Sequence, residues 1–149
     1  MWREGFSPEL IAWALNALTL SFCAGLGARA LIDPVWAARL MRMQGDESGE
    51  KSALLSSTLG GVFLASHAAA LYFTMKWIIG GEGVIGIFAA GAAAALCGAW
   101  IGSALGRGVA LYKDRALATS AYMRAAGVEA LIGALIGAPW LVWALGGAR

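Results

Sequence analysis

The residues best suited to binding or proton chemistry are one carboxylate and two arginines at the edges of apolar stretches. Glu129 follows Arg124 by five positions inside an otherwise uncharged stretch, while Arg29 and Arg107 close two other such stretches. Ionisable groups within a membrane are costly and often mark functional sites. We expect Glu129 to pair with Arg107, because a guanidinium partner lets a carboxylate keep its charge at lower cost.

Three roles stay open for this group of residues. Arg29, Arg107, Glu129 and Tyr122 are candidates for a site that binds an anionic headgroup or a small acidic ligand. Alternatively, the Arg107–Glu129 pair has the structural role of linking two helices and no other role, with Tyr122 and Ser56 completing its hydrogen bonds. Proton movement through Glu129 is the third role, although the sequence offers no further acidic group along the rest of that stretch.

His67 is the only histidine, and it is a weak candidate for a metal ligand. No Cys, Asp or Glu stands at a spacing that would complete a metal site, so a single axial haem contact is the one metal role left. Asn16 and Thr74 are possible partners for a hydrogen bond between helices. No serine, cysteine or threonine is expected to be activated by a base beside it in sequence, and no phosphate-loop motif is present. We therefore predict a non-enzymatic protein without a cofactor.

The elements that must position these residues are membrane-spanning helices. The 149 residues are 60% hydrophobic and 13% charged, with a mean hydropathy of +0.70. Four apolar stretches are long enough to cross the ~30 Å hydrocarbon core as helices. They predict a single all-α transmembrane domain over residues 1–149, an integral membrane four-helix bundle with spans at about residues 10–30, 53–77, 84–106 and 124–145. The small net charge of +2 argues against a nucleic-acid partner.

Basic residues are distributed unevenly between the two ends of the predicted spans. Eight lie at one end and three at the other: Arg29, Arg39, Arg42, Lys51, Arg107, Lys113, Arg115 and Arg124 against Arg3, Lys76 and Arg149. By the positive-inside rule, the first group lies in the cytoplasm. Tryptophans at positions 2, 13, 77, 140 and 143 form an aromatic belt at the opposite interface. We predict a multi-pass protein of the bacterial inner membrane with both termini outside.

Local signals place the ends of several helices. Ser7-Pro8 is typical of a helix start, and Asp33-Pro34 begins a second, short amphipathic helix over residues 35–43. That helix either lies flat on the cytoplasmic interface, where its arginines suit anionic headgroups, or packs on the end of the bundle. The glycines of residues 80–83 predict a tight turn between spans two and three. Pro139 predicts a bend near the end of span four.

Small residues at four-residue spacing predict close helix packing. Span three carries Gly98, Gly102 and Gly106, and span four carries Gly133 and Gly137. Because lipid is as apolar as the helices, association depends on close backbone approach, which glycine permits. We expect span three to pack through its row against span four, or against a copy of itself.

Several short markers together resemble a family of small four-helix bacterial membrane proteins known only as a domain of unknown function. The markers, which extend over residues 25–135, are Gly27, Asp33-Pro34, Gly60-Gly61, Gly106-Arg107, Asp114 and Glu129. The chain differs from that family by having Lys51 before span two and Arg115 after the loop aspartate. The resemblance implies an all-helical membrane bundle and no particular activity.

With no catalytic group in view, the function is predicted from the packing surfaces. We expect a non-enzymatic accessory, scaffold or assembly subunit of an inner-membrane complex, whose partner is a larger membrane protein or a second copy. The alternative is a small-molecule or lipid binding or transport protein with a polar site at the cytoplasmic end of the bundle.

Overall fold

The described part of the chain is helical throughout. A computed structural model describes residues 7–40, 50–80, 83–113, 115 and 120–146, without the side chains of residues 38–40, 50–56, 120–121 and 146. These residues contain no strand, and their helices are α1 (Pro8–Ile32), α2 (Pro34–Leu40), α3 (Glu50–Ile78), α4 (Val84–Lys113), α5 (Ser120–Ile136) and α6 (Ala138–Gly146).

The predicted helix starts are confirmed by their hydrogen bonds. Ser7 Oγ accepts a hydrogen bond from the Leu10 amide at 3.2 Å, which caps α1. Asp33 Oδ1 accepts one from the Trp36 amide at 2.9 Å and so caps α2. Each cap satisfies an amide that has no partner within the first turn of its helix. Residues 41–43, the predicted end of the short helix, lie outside the described residues.

Within the part of the chain that the structure describes, three helices are long and apolar enough to cross a membrane. They are Pro8–Ile32, Ser57–Ile78 and Val84–Lys113, and a fourth crossing results if the bent pair Tyr122–Ile136 and Ala138–Leu145 is counted as one span. The predicted span at residues 124–145 is therefore two helices, whose axes differ by 59°.

The bend lies at Gly137, two residues before Pro139. Pro139 has no amide hydrogen to donate and occupies the first turn of α6, where none is required. The Trp140 amide donates to the Gly137 carbonyl at 3.0 Å instead of continuing the α-helical pattern to Ile136. The predicted bend near Pro139 is confirmed, and it leaves the Ile136 carbonyl available to another donor.

The chain divides into two compact units. The larger unit is formed by Met1–Thr19 and Phe73–Arg149, and the smaller unit by Leu20–Tyr72. In the larger unit, α4 and α5 are antiparallel, because Glu129 contacts the stretch around Arg107 while Gly137 contacts Cys97. Between α3 and α4, Gly80 and Gly83 have φ values of 123° and 59°, which residues other than glycine rarely adopt.

In the smaller unit, the end of α1 packs closely against α3. A β-carbon at Gly27 would lie 2.5 Å from the Leu64 amide nitrogen, and one at Gly60 would lie 2.8 Å from the Ala30 β-carbon. The two helix backbones therefore meet almost directly at these glycines, as small residues at membrane-helix interfaces allow. From the sequence, Gly27 and Gly60 were identified only as markers of the family resemblance, and their packing role was not predicted.

Candidate functional site

Arg107 and Glu129 form a two-pronged ion pair that joins α4 to α5. Arg107 Nε donates to Glu129 Oε1 at 2.9 Å and to Oε2 at 2.8 Å. Arg107 Nη2 lies 2.7 Å from Oε1. A planar guanidinium that contacts both oxygens of a carboxylate fixes direction as well as distance. The predicted pairing of Glu129 with Arg107 is confirmed.

Two further side chains complete this cluster. Ser103 Oγ donates to Glu129 Oε2 at 3.0 Å, and the Arg107 guanidinium carbon lies 5.3 Å from the centre of the Tyr122 ring. Tyr122 was predicted at this site, whereas Ser103 was missed. Its spacing of four residues from Arg107 places the two on one face of α4, and this signal could have identified it. The side chain of Ser56, the other predicted partner, lies outside the described part.

The charges within this cluster compensate one another. The Glu129 side chain is 12% exposed and that of Arg107 is 32% exposed, so the carboxylate is the more enclosed partner. Both oxygens of Glu129 accept hydrogen bonds, and the carboxylate compensates the charge of the adjacent guanidinium. This arrangement can stabilise the α4–α5 contact, and the pair as a whole has little net charge to attract an anionic ligand.

Arg29, the remaining predicted ligand residue, belongs to the smaller unit. It lies in the last turn of α1, with its guanidinium carbon 4.4 Å from the centre of the Trp36 ring on α2. Arg29 is exposed, and among the described residues it forms no ion pair. The cluster of Arg107, Glu129 and Tyr122 is thus assembled within the larger unit, whereas Arg29 lies beside Trp36 in the smaller unit.

His67 is buried in the smaller unit and bonds to its own helix. Its Nδ1 donates to the Phe63 carbonyl at 2.7 Å and lies 3.3 Å from Ser66 Oγ, while the Phe63 ring centre is 4.1 Å from the imidazole centre. Across the described residues, no three His, Cys, Asp or Glu side chains are grouped closely enough to hold a metal ion. The structure pairs Asn16 and Thr74, the expected partners of His67, with each other.

Asn16 is a buried polar side chain of the larger unit with two hydrogen-bond partners. Its Nδ2 donates to the Ile136 carbonyl at 2.6 Å, and its Oδ1 accepts from Thr74 Oγ1 at 3.0 Å. The Ile136 carbonyl is the one that the bend at Gly137 leaves without its helical partner. Neighbouring helices commonly satisfy backbone groups that a break exposes within an apolar setting. Asn16 therefore stabilises the break between α5 and α6.

The glycines of α4 and α5 behave differently from one another. A β-carbon at Gly133 would lie 2.9 Å from the Ile101 side chain, and one at Gly137 would lie 2.7 Å from Cys97 Sγ. These two glycines pack as predicted. At Gly98, Gly102 and Gly106, however, a β-carbon would meet no described atom within 4 Å.

The expected pairing of α4 with α5 is therefore found, but within the described residues it does not use the Gly98, Gly102 and Gly106 row. The space beside Gly133 and Gly137 is instead filled by the larger side chains of Cys97, Trp100 and Ile101. Those residues lie on a different face of α4 from the glycine row. Contact with a second copy, the other expected use of this row, stays a prediction.

Comparison with known proteins gives no relative to guide the interpretation. The chain matches no protein-family model, no curated protein and no solved structure. The resemblance to a four-helix bacterial family gains no support from these comparisons.

Proposed function

We propose that this chain is a multi-pass protein of the bacterial inner membrane that acts as a non-enzymatic accessory, scaffold or assembly subunit. Support for membrane insertion comes from the three membrane-length apolar helices and the broken fourth. Large apolar side chains such as Leu18, Phe22 and Ile87 are exposed on these helices. Water would penalise that surface, whereas lipid solvates it.

The uneven distribution of basic residues supports an orientation with both termini outside. The tryptophan contacts agree with it, since Trp13 lies 6.2 Å from Trp77 and Trp140 lies 5.9 Å from Trp143, measured between ring centres within the larger unit. These residues were predicted to share one aromatic belt. Labelling of single cysteines placed near the N-terminus and in the loop after α4, in intact cells, tests the orientation.

The open row of small residues on α4 carries the assembly role. Ala94, Gly98, Gly102 and Gly106 are all exposed, and no described atom fills the space above the three glycines. In lipid, helices associate through close packing, since burial of apolar surface gives little driving force. A helix face that permits such close approach, yet meets no described helix of its own chain, suits a helix of another subunit.

The direct test is to fill this row and to ask what the protein still binds. Gly102→Leu places a bulky side chain on the row, while Gly108→Leu adds the same side chain at another exposed α4 position with no described atom within 4 Å. Each form is purified gently from its own membranes and weighed by native mass spectrometry. We expect the unaltered chain and Gly108→Leu to retain a protein partner or a second copy, and Gly102→Leu to lose it.

Two results would contradict the assembly role. The first is an unaltered chain that is monomeric in mild detergent with no accompanying protein. The second is a complex that Gly102→Leu leaves intact. A partner of different mass would indicate a hetero-complex, and a doubled mass would indicate a homo-oligomer.

The alternative function, binding or transport of a small molecule or lipid, gains support at Arg29 and loses it at Arg107. Glu129 already neutralises Arg107 through three short contacts. Arg29 forms no ion pair among the described residues, and its charge is available to an anionic group.

A further inference from the structure

The junction of α1 and α2, from Arg29 to Trp36 and called the α1–α2 corner below, contains Arg29 and its contact with Trp36. Only Asp33 separates the two helices, and its backbone continues the hydrogen bonds of both: its amide donates to the Arg29 carbonyl at 2.8 Å, and its carbonyl accepts from the Ala37 amide at 3.1 Å. Asp33 Oδ1 is engaged by the Trp36 amide. The connection is therefore short, and the amide, the carbonyl and Oδ1 of Asp33 each have a hydrogen-bond partner.

Trp36 supports the guanidinium from one side. The distance of 4.4 Å from the guanidinium carbon to the ring centre is well within cation–π range. Contact with a ring face leaves the in-plane N–H groups of an arginine free to donate. Because Arg29 is exposed and makes no ion pair within the described residues, these donors face outward with a full positive charge.

Two exposed apolar side chains flank the Asp33 carboxylate in this junction. Ile32 is 84% exposed and Val35 is 55% exposed, one on each side of Asp33. A cation, a tryptophan and exposed aliphatic side chains within a few residues are the combination found where a protein meets the boundary between headgroups and acyl chains. Free phosphate would use the charge and leave the aliphatic side chains in water.

From this arrangement we infer that the α1–α2 corner binds the phosphate of an anionic phospholipid. Arg29 donates to the phosphate oxygens, Trp36 holds the guanidinium at headgroup depth, and Ile32 and Val35 contact the upper acyl chains. The inference rests on the membrane insertion proposed above and not on the assembly role. It assigns a lipid-binding function to a site that needs neither Arg107 nor Glu129.

The test measures lipid binding to the full chain in a mild, uncharged detergent. Phosphatidylglycerol is titrated, and the bound fraction is read by native mass spectrometry for the unaltered chain, Arg29→Gln and Lys113→Gln. Lys113 is the matched control, an exposed cation in the last turn of α4. We expect Arg29→Gln to weaken the apparent Kd about fivefold, the effect of one basic residue near an anionic surface, and Lys113→Gln to change it less than twofold.

Two further ligands distinguish a lipid from a free anion. Phosphatidylcholine of the same chain length keeps the acyl contacts but adds a compensating positive charge, so it should bind more weakly and with no dependence on Arg29. Inorganic phosphate lacks the acyl chains, and we expect no competition from it at millimolar concentration. Equal binding of phosphatidylcholine, or full displacement by phosphate, would overturn the lipid assignment.

A second variant keeps the test decisive if Arg29→Gln fails to fold. Ile32 is almost fully exposed, so Ile32→Ser should leave the packing intact while it removes an acyl contact. We expect at least twofold weaker phosphatidylglycerol binding. Unchanged binding in Ile32→Ser or in folded Arg29→Gln refutes the site, and so does an equal loss in Lys113→Gln.

Flotation with vesicles separates this inference from the proposed function. If the chain fails to float with phosphatidylglycerol vesicles, membrane insertion itself is wrong and the lipid site fails with it. If the chain floats and Arg29→Gln binds lipid as the unaltered chain does, only the lipid site is wrong.

Discussion

Replacement of Gly27 by alanine is the sharpest probe of helix packing in this protein. The new β-carbon would lie 2.5 Å from the Leu64 amide nitrogen and 2.9 Å from the Leu64 α-carbon. Both are backbone atoms of α3, so no side-chain rotation can relieve the clash. To reach an ordinary contact near 3.4 Å, α1 and α3 must separate locally by about 0.9 Å.

A separation of this size has a predictable energetic consequence. A gap of about 0.5–1 Å forfeits roughly a quarter to a half of each dispersion contact across the interface. Overpacking of this kind typically costs about 1–3 kcal/mol. Alanine also favours the helix by roughly 1 kcal/mol relative to glycine, which partly offsets the loss.

Gly25→Ala is the control that isolates the packing effect. Gly25 lies in the same helix, and a β-carbon there meets no described atom within 4 Å. The gain in helix propensity is therefore common to both variants and cancels between them. We expect Gly27→Ala to be about 1–3 kcal/mol less stable than Gly25→Ala.

The assay is reversible unfolding in mixed micelles, with sodium dodecyl sulfate as denaturant and far-UV circular dichroism as readout. Each variant is titrated under identical conditions, and the free energies of unfolding are compared at one mole fraction of denaturant. Equal stabilities for Gly27→Ala and Gly25→Ala would refute the close α1–α3 contact. Greater loss at Gly25 would mean that the packed face of α1 is assigned wrongly.

Three other predictions use the same titration. Arg107→Gln leaves the Glu129 carboxylate without its charged partner and should lower the free energy of unfolding by about 2 kcal/mol. Adding Glu129→Gln to that variant should recover at least half of the loss. If the double variant instead lost the sum of the two single-variant losses, the ion pair would be contradicted. Asn16→Leu leaves the Ile136 carbonyl without its donor and should cost roughly 1–3 kcal/mol; unchanged stability would mean that this bond is dispensable. Gly133→Ala should cost about 1–3 kcal/mol, because its β-carbon meets α4 side chains; a gain would show that those side chains yield freely.

The sequence alone was sufficient for the features that depend on local chemistry. The starts of α1 and α2 were predicted from Ser7 and Asp33, because a capping side chain acts within one turn of its own helix. The long apolar helices follow from composition, and the bend near Pro139 follows from the tendency of proline to interrupt a continuous helix. The Arg107–Glu129 pair was also predictable, since an enclosed carboxylate needs a cation and Arg107 stood at a matching depth.

The rotation of each helix about its axis was decided only by the tertiary structure. A helix that is apolar on every side has no polar face to show which side packs inward, so spacing identified the glycine rows without their direction. A β-carbon at Gly98 or Gly102 would meet no described atom within 4 Å, while Gly133 and Gly27 accept neighbouring helices. The use of Asn16 at the break between α5 and α6 has the same origin. Its donor meets the Ile136 carbonyl only after the helices have packed, because 120 positions of sequence separate the two residues.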